Sequence, residues 1–119
     1  MSDIWPTELK VSEHGHILKV SFDNGISHEL SAELLRVESP SAEVKGHGPG
    51  QEQLVFGKRL VSIAKIDPVG SYAARISFSD GHSTGLYTWA YLEKLGRDQA
   101  EIWAAYLNKL KQEGKSREP

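Results

Sequence analysis

Apolar and polar residues alternate over two early stretches of the chain. Leu9 and Val11 alternate with Lys10 and Ser12, and Leu18, Val20 and Phe22 alternate with Lys19 and Ser21. A period of two predicts strands with one buried face. A two-residue turn at His14-Gly15 sets Val11 opposite Leu18 and Leu9 opposite Val20, so the apolar sides coincide. At the next turn, a two-residue Asn24-Gly25 loop would put Phe22 opposite Ser27. A three-residue Asp23-Asn24-Gly25 loop puts Phe22 opposite Ile26, Val20 opposite His28 and Leu18 opposite Leu30. The second register is preferred, with Gly25 in the left-handed conformation.

The hairpin recurs. Residues 16–30 read HILKVSFDNGISHEL and residues 72–86 read YAARISFSDGHSTGL, 56 positions further on. The recurrence reflects either an old duplication or two hairpins obeying the same turn rules. Each copy is followed by a short helical stretch, the first around Ala32 to Arg36 and the second from Trp89 to Leu95, ending at Gly96. Between them, Leu60 to Ile66 is β-like and leads through Asp67-Pro68-Val69-Gly70 into Tyr72 to Phe78, which predicts the middle of the sheet there. Beyond Gly96, Asp98 is a candidate N-cap with Glu101 three residues on, and Ile102, Trp103, Tyr106, Leu107 and Leu110 share one helix face. The expected fold is α+β: an antiparallel, meander-rich β-sheet with hairpins, short helices and a C-terminal helix packed on it. Residues 112–119 are polar and read as a flexible tail.

One segment follows neither period. From Leu34 to Gly50, two prolines and three glycines interrupt every regular pattern, and a loop of that length is expected to have a task. Within it, Ser39 and Ser41 flank Pro40, where hydroxyls can cap backbone amides. His47 lies between Gly46 and Gly48, either as surface decoration or presented for binding. Gly46 to Gly50 is a poor phosphate cradle, because Pro49 has no amide hydrogen and no lysine-serine or lysine-threonine ending follows.

The hairpin register gives the second candidate position. His82 occupies the inward place that Ile26 holds in the first copy, so its imidazole needs a partner: a nearby carbonyl or hydroxyl, or a metal or ligand. His28 is also inward and is read as a satisfied structural histidine. His14 and His16 bracket a turn and are expected in solvent.

Composition narrows the chemistry. The 119 residues are 39% hydrophobic and 25% charged with a net charge of -2, which disfavours nonspecific nucleic-acid binding. Without cysteine there is no disulfide, thiolate metal site or thiol nucleophile. No stretch approaches the roughly 20 apolar residues of a membrane span, and a cytoplasmic location is expected. No nucleophile elbow is present, Asp80, His82 and Ser83 are too close on one hairpin for a triad, and Glu38 and Glu43 have no fixed separation. No two-histidine, one-carboxylate iron site stands at recognisable spacing. Trp5, Trp89, Trp103 and Tyr106 fit packing better than base stacking. The expectation is a protein that is not an enzyme.

Trp5-Pro6, Glu33-Leu34-Leu35-Arg36, Ser39-Pro40-Ser41-Ala42-Glu43-Val44, Gly46-His47-Gly48, Val69-Gly70, Asp80-Gly81-His82 and Trp89 together resemble the small domain at the N-terminus of γ-butyrobetaine hydroxylase, which in bacteria also stands alone as a domain of unknown function. The resemblance spans roughly residues 4 to 108 and implies a single such domain over residues 1–111. In the hydroxylases this domain resembles a zinc-binding appendage to a separate iron- and 2-oxoglutarate-dependent catalytic domain. Related copies are fused to P-loop proteins of iron–sulfur cluster delivery. Where the hydroxylases carry a Cys-x-Cys-x-x-Cys cluster, this chain has Ser39, Ser41 and Val44, and the fourth ligand matches His82. Serine is a weak zinc donor and valine none, so hydrogen bonds between the Ser39–His47 loop and the His82 hairpin are expected in place of the metal.

The resemblance implies a non-catalytic binding or adaptor module for a protein partner that handles iron or iron–sulfur cofactors. Its recognition loop would comprise Arg36, Ser39, Ser41, Glu43, His47 and His82. The alternative is a small protein that itself binds a ligand or metal, zinc or iron, through His82, His47 and a carboxylate such as Glu43 or Asp80.

Overall fold

A computed structural model describes residues 4–46 and 52–119. The chain runs β1 (Pro6–Ser12), β2 (Ile17–Phe22), β3 (Ser27–Ser31), α1 (Ala32–Val37), α2 (Ala42–Lys45), β4 (Ile63–Val69), β5 (Ala73–Phe78), β6 (Leu86–Thr88), α3 (Trp89–Arg97) and α4 (Gln99–Gln112). The class is α+β, as expected. The strands form two antiparallel sheets, β1-β2-β3 and β4-β5-β6, rather than one meander. None of the helices among the described residues is long and apolar enough to cross a membrane.

The first hairpins follow the register that alternation demands. Leu9 pairs with Val20 and Val11 with Leu18. The connection is four residues long, since Ser12 pairs with Ile17, and Glu13 and His14 both adopt positive φ there. His14 and His16 are exposed, and the His16 Nδ1–H also donates to the Val61 carbonyl at 3.1 Å. Val20 pairs with His28 and Leu18 with Leu30. The Phe22 amide donates to the Ile26 carbonyl at 2.9 Å around a left-handed Gly25, as a three-residue loop requires.

The recurrence is architectural: three antiparallel strands and a helix, twice. Ser31 and Thr88 cap the helices that follow, their hydroxyls accepting from the amides of Leu34 and Tyr91. The second copy departs from the first by one residue. Its turn closes identically, with the Phe78 amide donating to the His82 carbonyl at 2.9 Å, but Ala74 then pairs with Tyr87 where the repeat would set Leu86. A slip of one residue exchanges the faces of a strand. Tyr87 is therefore fully buried, whereas Leu86 is 40% exposed.

Other expectations change on packing. Asp67 and Pro68 lie inside β4, and the turn to β5 is Gly70–Tyr72. The irregular segment is more regular than its glycines and prolines suggest, because α1 runs to Val37 and Ala42–Lys45 forms α2. Asp98 precedes α4 without any side-chain capping bond. Of the α4 stripe, Tyr106 and Leu110 are buried and Leu107 is exposed. Residues 112–119, read as a flexible tail, lie against the body: Arg117 makes a two-pronged bond to Glu33, and the Gly57 and Arg59 amides donate to the Ser116 and Arg117 carbonyls. The main core joins Leu18, Val20 and Leu30 of one sheet to Ile76 and Tyr87 of the other, with Leu35, Leu92 and Leu95 of the helices. His28 packs edge-on to Phe22, 3.5 Å from a Glu93 oxygen, over Gly96, where any Cβ would overlap the imidazole ring.

Candidate functional site

The α1–α2 connection and the β5–β6 hairpin meet at one place. The three-residue turn Ser79-Asp80-Gly81, with Gly81 left-handed, delivers His82 inward; the Asp80 carboxylate accepts from the His82 amide at 3.1 Å and fixes the bend. From the other side, Ser39 and Ser41 flank Pro40 in the linker. Ser41 caps α2 by accepting from the Glu43 amide at 3.2 Å.

The imidazole is held at both ends. His82 Nδ1 lies 3.0 Å from a Glu43 carboxylate oxygen and Nε2 lies 2.9 Å from the Ser39 hydroxyl. The carboxylate can only accept, so Nδ1 carries the proton and Nε2 accepts from Ser39. The Ser39 oxygen in turn accepts from the Ser41 amide, and the Ser41 hydroxyl bonds the Thr84 hydroxyl at 2.6 Å. Ser39 is fully buried, and Ser41 and His82 are each 7% exposed. Beside this chain of bonds, Asp80 takes Arg36 Nε at 2.8 Å and Lys58 Nζ at 2.7 Å, which ties α1 and the segment before β4 to the same hairpin.

The protonation states follow from these neighbours. Burial, and then the nearby Arg36 charge, lower the His82 pKa, and Glu43 opposes them without reversing the shift. The imidazole is thus neutral at neutral pH, which suits an Nε2 acceptor. Burial pushes the Asp80 carboxyl up, but the bonds from Lys58, the His82 amide and Arg36 outweigh it and hold the pKa at about 2. Burial raises the Tyr87 phenol far above its usual range, so its hydroxyl remains a donor to the Leu35 carbonyl.

Ser39, His82 and Glu43 have the connectivity of a serine–histidine–carboxylate triad, which the search for one within a single hairpin missed. Its accessibility is reversed. The serine is buried, with its oxygen 2.5 Å from where a Cβ on Gly85 would stand, while the Glu43 side chain is 62% exposed. An acyl-transfer nucleophile has to meet substrate, and this one faces the protein interior.

A tetrahedral zinc does not fit this residue set. Val44 is buried in the core and offers no donor, the Ser39 hydroxyl is committed to His82, and both imidazole nitrogens are occupied. No group of three or more histidine, aspartate or glutamate residues that could hold a metal exists among the described residues. His47, expected as a second metal ligand and part of the recognition loop, lies outside the described residues.

Of the expected recognition residues, Ser39, Ser41 and His82 are buried and the Arg36 side chain is only 12% exposed, so these four position the loop from within. Among the described ones, Glu43 alone meets solvent freely. Thr84 and Lys58 were not foreseen: Thr84 is reached only through the fold, and Lys58 stands 22 residues from Asp80 in a segment without periodicity. The Asp80-Gly81-His82 turn was the usable signal, since an aspartate two residues before an amide is an Asx-turn pattern.

Comparison with known proteins places these features among relatives. The family model described as gamma-butyrobetaine hydroxylase-like, N-terminal, matches residues 9–93. Two proteins with NMR solution structures resemble the chain closely. One is 41% identical, with a TM-score of 0.86 over 99% of this chain and 93% of that one. The other is 47% identical, with a TM-score of 0.85 over 99% and 88%. A crystal structure of a DUF971-family protein of unknown function from Acidithiobacillus ferrooxidans is 38% identical, with a TM-score of 0.64 over 76% of this chain and 91% of that one. No curated protein matches the chain.

Proposed function

The chain belongs to the gamma-butyrobetaine hydroxylase-like N-terminal family, and from that premise we propose that it is a non-catalytic, cytoplasmic adaptor module that docks on proteins handling iron or iron–sulfur cofactors. The observation that carries the reading is the Ser39–His82–Glu43 clamp, which ties α2 to the second hairpin through hydrogen bonds and leaves the Glu43 side to solvent. A side chain fully committed inside the protein works as scaffold, and the surface it holds in place is free for recognition.

That surface has the make-up of a docking patch. A groove of about 300 Å³ opens between α2, residues 52–55 and α4, floored by Val37, Val44, Val55 and Tyr106. Glu38, Lys45, Glu52 and Lys109 stand around it with both signs of charge. An apolar floor with a polar rim is the anatomy of a modest protein interface.

The test is capture from native lysate on immobilised chain, comparing wild type with the groove-rim variants Glu52→Lys and Lys109→Glu. A metal-cofactor protein retained by wild type and lost with both variants supports the reading; retention indifferent to both overturns it. Titration with Zn²⁺ and Fe²⁺ is run beside it. Saturable NMR shifts confined to residues 39–48 and 80–84 would move the assignment to the alternative, a protein that binds the metal itself through His82, His47 and a carboxylate such as Glu43 or Asp80.

A further inference from the structure

Away from that face, the carboxylate of Glu33 is buried in the first turn of α1, with its side chain 7% exposed. A carboxylate taken out of water has to be met by a cation and by hydrogen bonds. Arg117 supplies both: Nε donates to one carboxylate oxygen at 2.8 Å and Nη2 to the other at 2.7 Å. This planar fork is specific to a guanidinium, because an ammonium cannot reproduce two parallel bonds. The same guanidinium lies 5.1 Å from the centre of the Trp103 ring, so the pocket recognises both its charge and its flat face.

Backbone recognition accompanies the side-chain pocket. The Gly57 amide donates to the Ser116 carbonyl at 2.9 Å and the Arg59 amide to the Arg117 carbonyl at 3.0 Å, so two successive carbonyls of the segment are held by backbone amides. Nothing in these bonds reads any side chain but the arginine.

The two halves of the contact are unequally held. Glu33 and Trp103 sit on helices packed against the apolar clusters. The occupant does not. Residues 111–119 are exposed except for half-buried Arg117, belong to neither cluster, and leave α4 through a left-handed Gly114. Their other side-chain ties are the exposed Arg59–Glu118 pair and Lys115 lying 4.9 Å from the centre of the Phe56 ring, exposed contacts of the kind that contribute little. A rigid receptor with a weakly tethered occupant opens locally far more readily than the domain unfolds.

We propose that Glu33, Trp103 and the Gly57–Arg59 amides form an arginine-recognition site for an extended peptide, occupied in cis by residues 115–118 and exchangeable for an arginine-bearing segment of a partner protein. The site is separate from the α2 groove and stands whether or not that groove binds anything.

The test uses the full-length chain carrying Arg117→Ala, labelled with ¹⁵N, and the peptide Gly-Lys-Ser-Arg-Glu-Pro, a copy of residues 114–119. Saturable shifts are expected at the Glu33, Gly57 and Arg59 amides and at the Trp103 indole. Affinity is expected to fall at least tenfold on the wild-type chain, where the cis segment competes, and at least tenfold for a peptide with alanine in place of arginine. Arg117→Lys keeps a cation on Glu33 and gives the same ordering if Arg117→Ala does not fold. The proposal is overturned if neither variant shows saturable shifts, or if the alanine peptide binds as well as the arginine peptide.

Discussion

The Ser39 hydroxyl and His82 Nε2 lie 2.9 Å apart inside the protein, joined across 43 residues of sequence. Their bond is where the α1–α2 connection is fastened to the second hairpin. Several consequences can be measured.

Replacing His82 with alanine leaves Ser39 buried without its acceptor and Glu43 without its donor. The variant is expected to lose about 1–3 kcal/mol, the scale for an unpaired buried polar group. Chemical denaturation measures this, and an unchanged midpoint would show that the imidazole is not a structural tie. A chelator should leave the wild-type midpoint where it is, since both imidazole nitrogens already have hydrogen-bond partners.

Stability should also follow the titration of His82. Its pKa is lowered in the folded protein from the ordinary 6.5, chiefly by burial. The unfolded chain therefore takes up the proton first as pH falls, so the contribution is complete above about 6.5 and is lost as pH drops through the folded value, below which it stays flat. Glu43→Gln removes an interaction that raises the pKa and should depress it further. Imidazole ¹⁵N shifts followed against pH decide the matter; a folded pKa above 6.5 contradicts it.

Asp80→Asn should weaken the hairpin's attachment to α1, because Arg36 and Lys58 lose the carboxylate they share. The expected loss is about 1.5–3 kcal/mol, the range for bonds to a charged group. In wild type this contribution is present above the ordinary carboxylate value of 3.8 and disappears as pH approaches about 2. Urea titrations at two pH values, one above 3.8 and one near 2, should show the wild type and variant converging at the lower one.

Gly85→Ala tests the packing behind the serine. A Cβ there would stand 2.5 Å from the Ser39 oxygen and 3.2 Å from the Tyr87 ring. Overpacking of this kind costs about 1–3 kcal/mol. The double variant Gly85→Ala with Ser39→Gly should recover part of that loss, and thermal melts of the set would reveal additivity if the two positions did not touch.

Much of the fold was written in local rules. Alternation fixed which face of β2 turns inward, though Val11 of β1 stays 41% exposed, and the spacing of Phe22, Gly25 and Ile26 chose the loop that the chain adopts, because a strand can bury its apolar set only in one register. His82 is buried as expected, but Ile26, its counterpart after the same turn, is 45% exposed, so the turn alone did not decide it. The expectation of hydrogen bonds at Ser39 and Ser41 in place of a metal came from the family resemblance and not from any local rule.

Local rules ended where partners lie far apart in sequence. That Glu43 would close on the second imidazole nitrogen, that Thr84 would meet Ser41, that one extra residue would put Tyr87 inside and Leu86 outside, and that Arg117 would dock on Glu33 all depend on pairs brought together by packing. Residues one turn or one strand apart are constrained by the backbone's own period, so sequence determines them. Residues 39 to 84 positions apart meet only once the two sheets and their helices have closed around a shared core, and that closure alone decided the site.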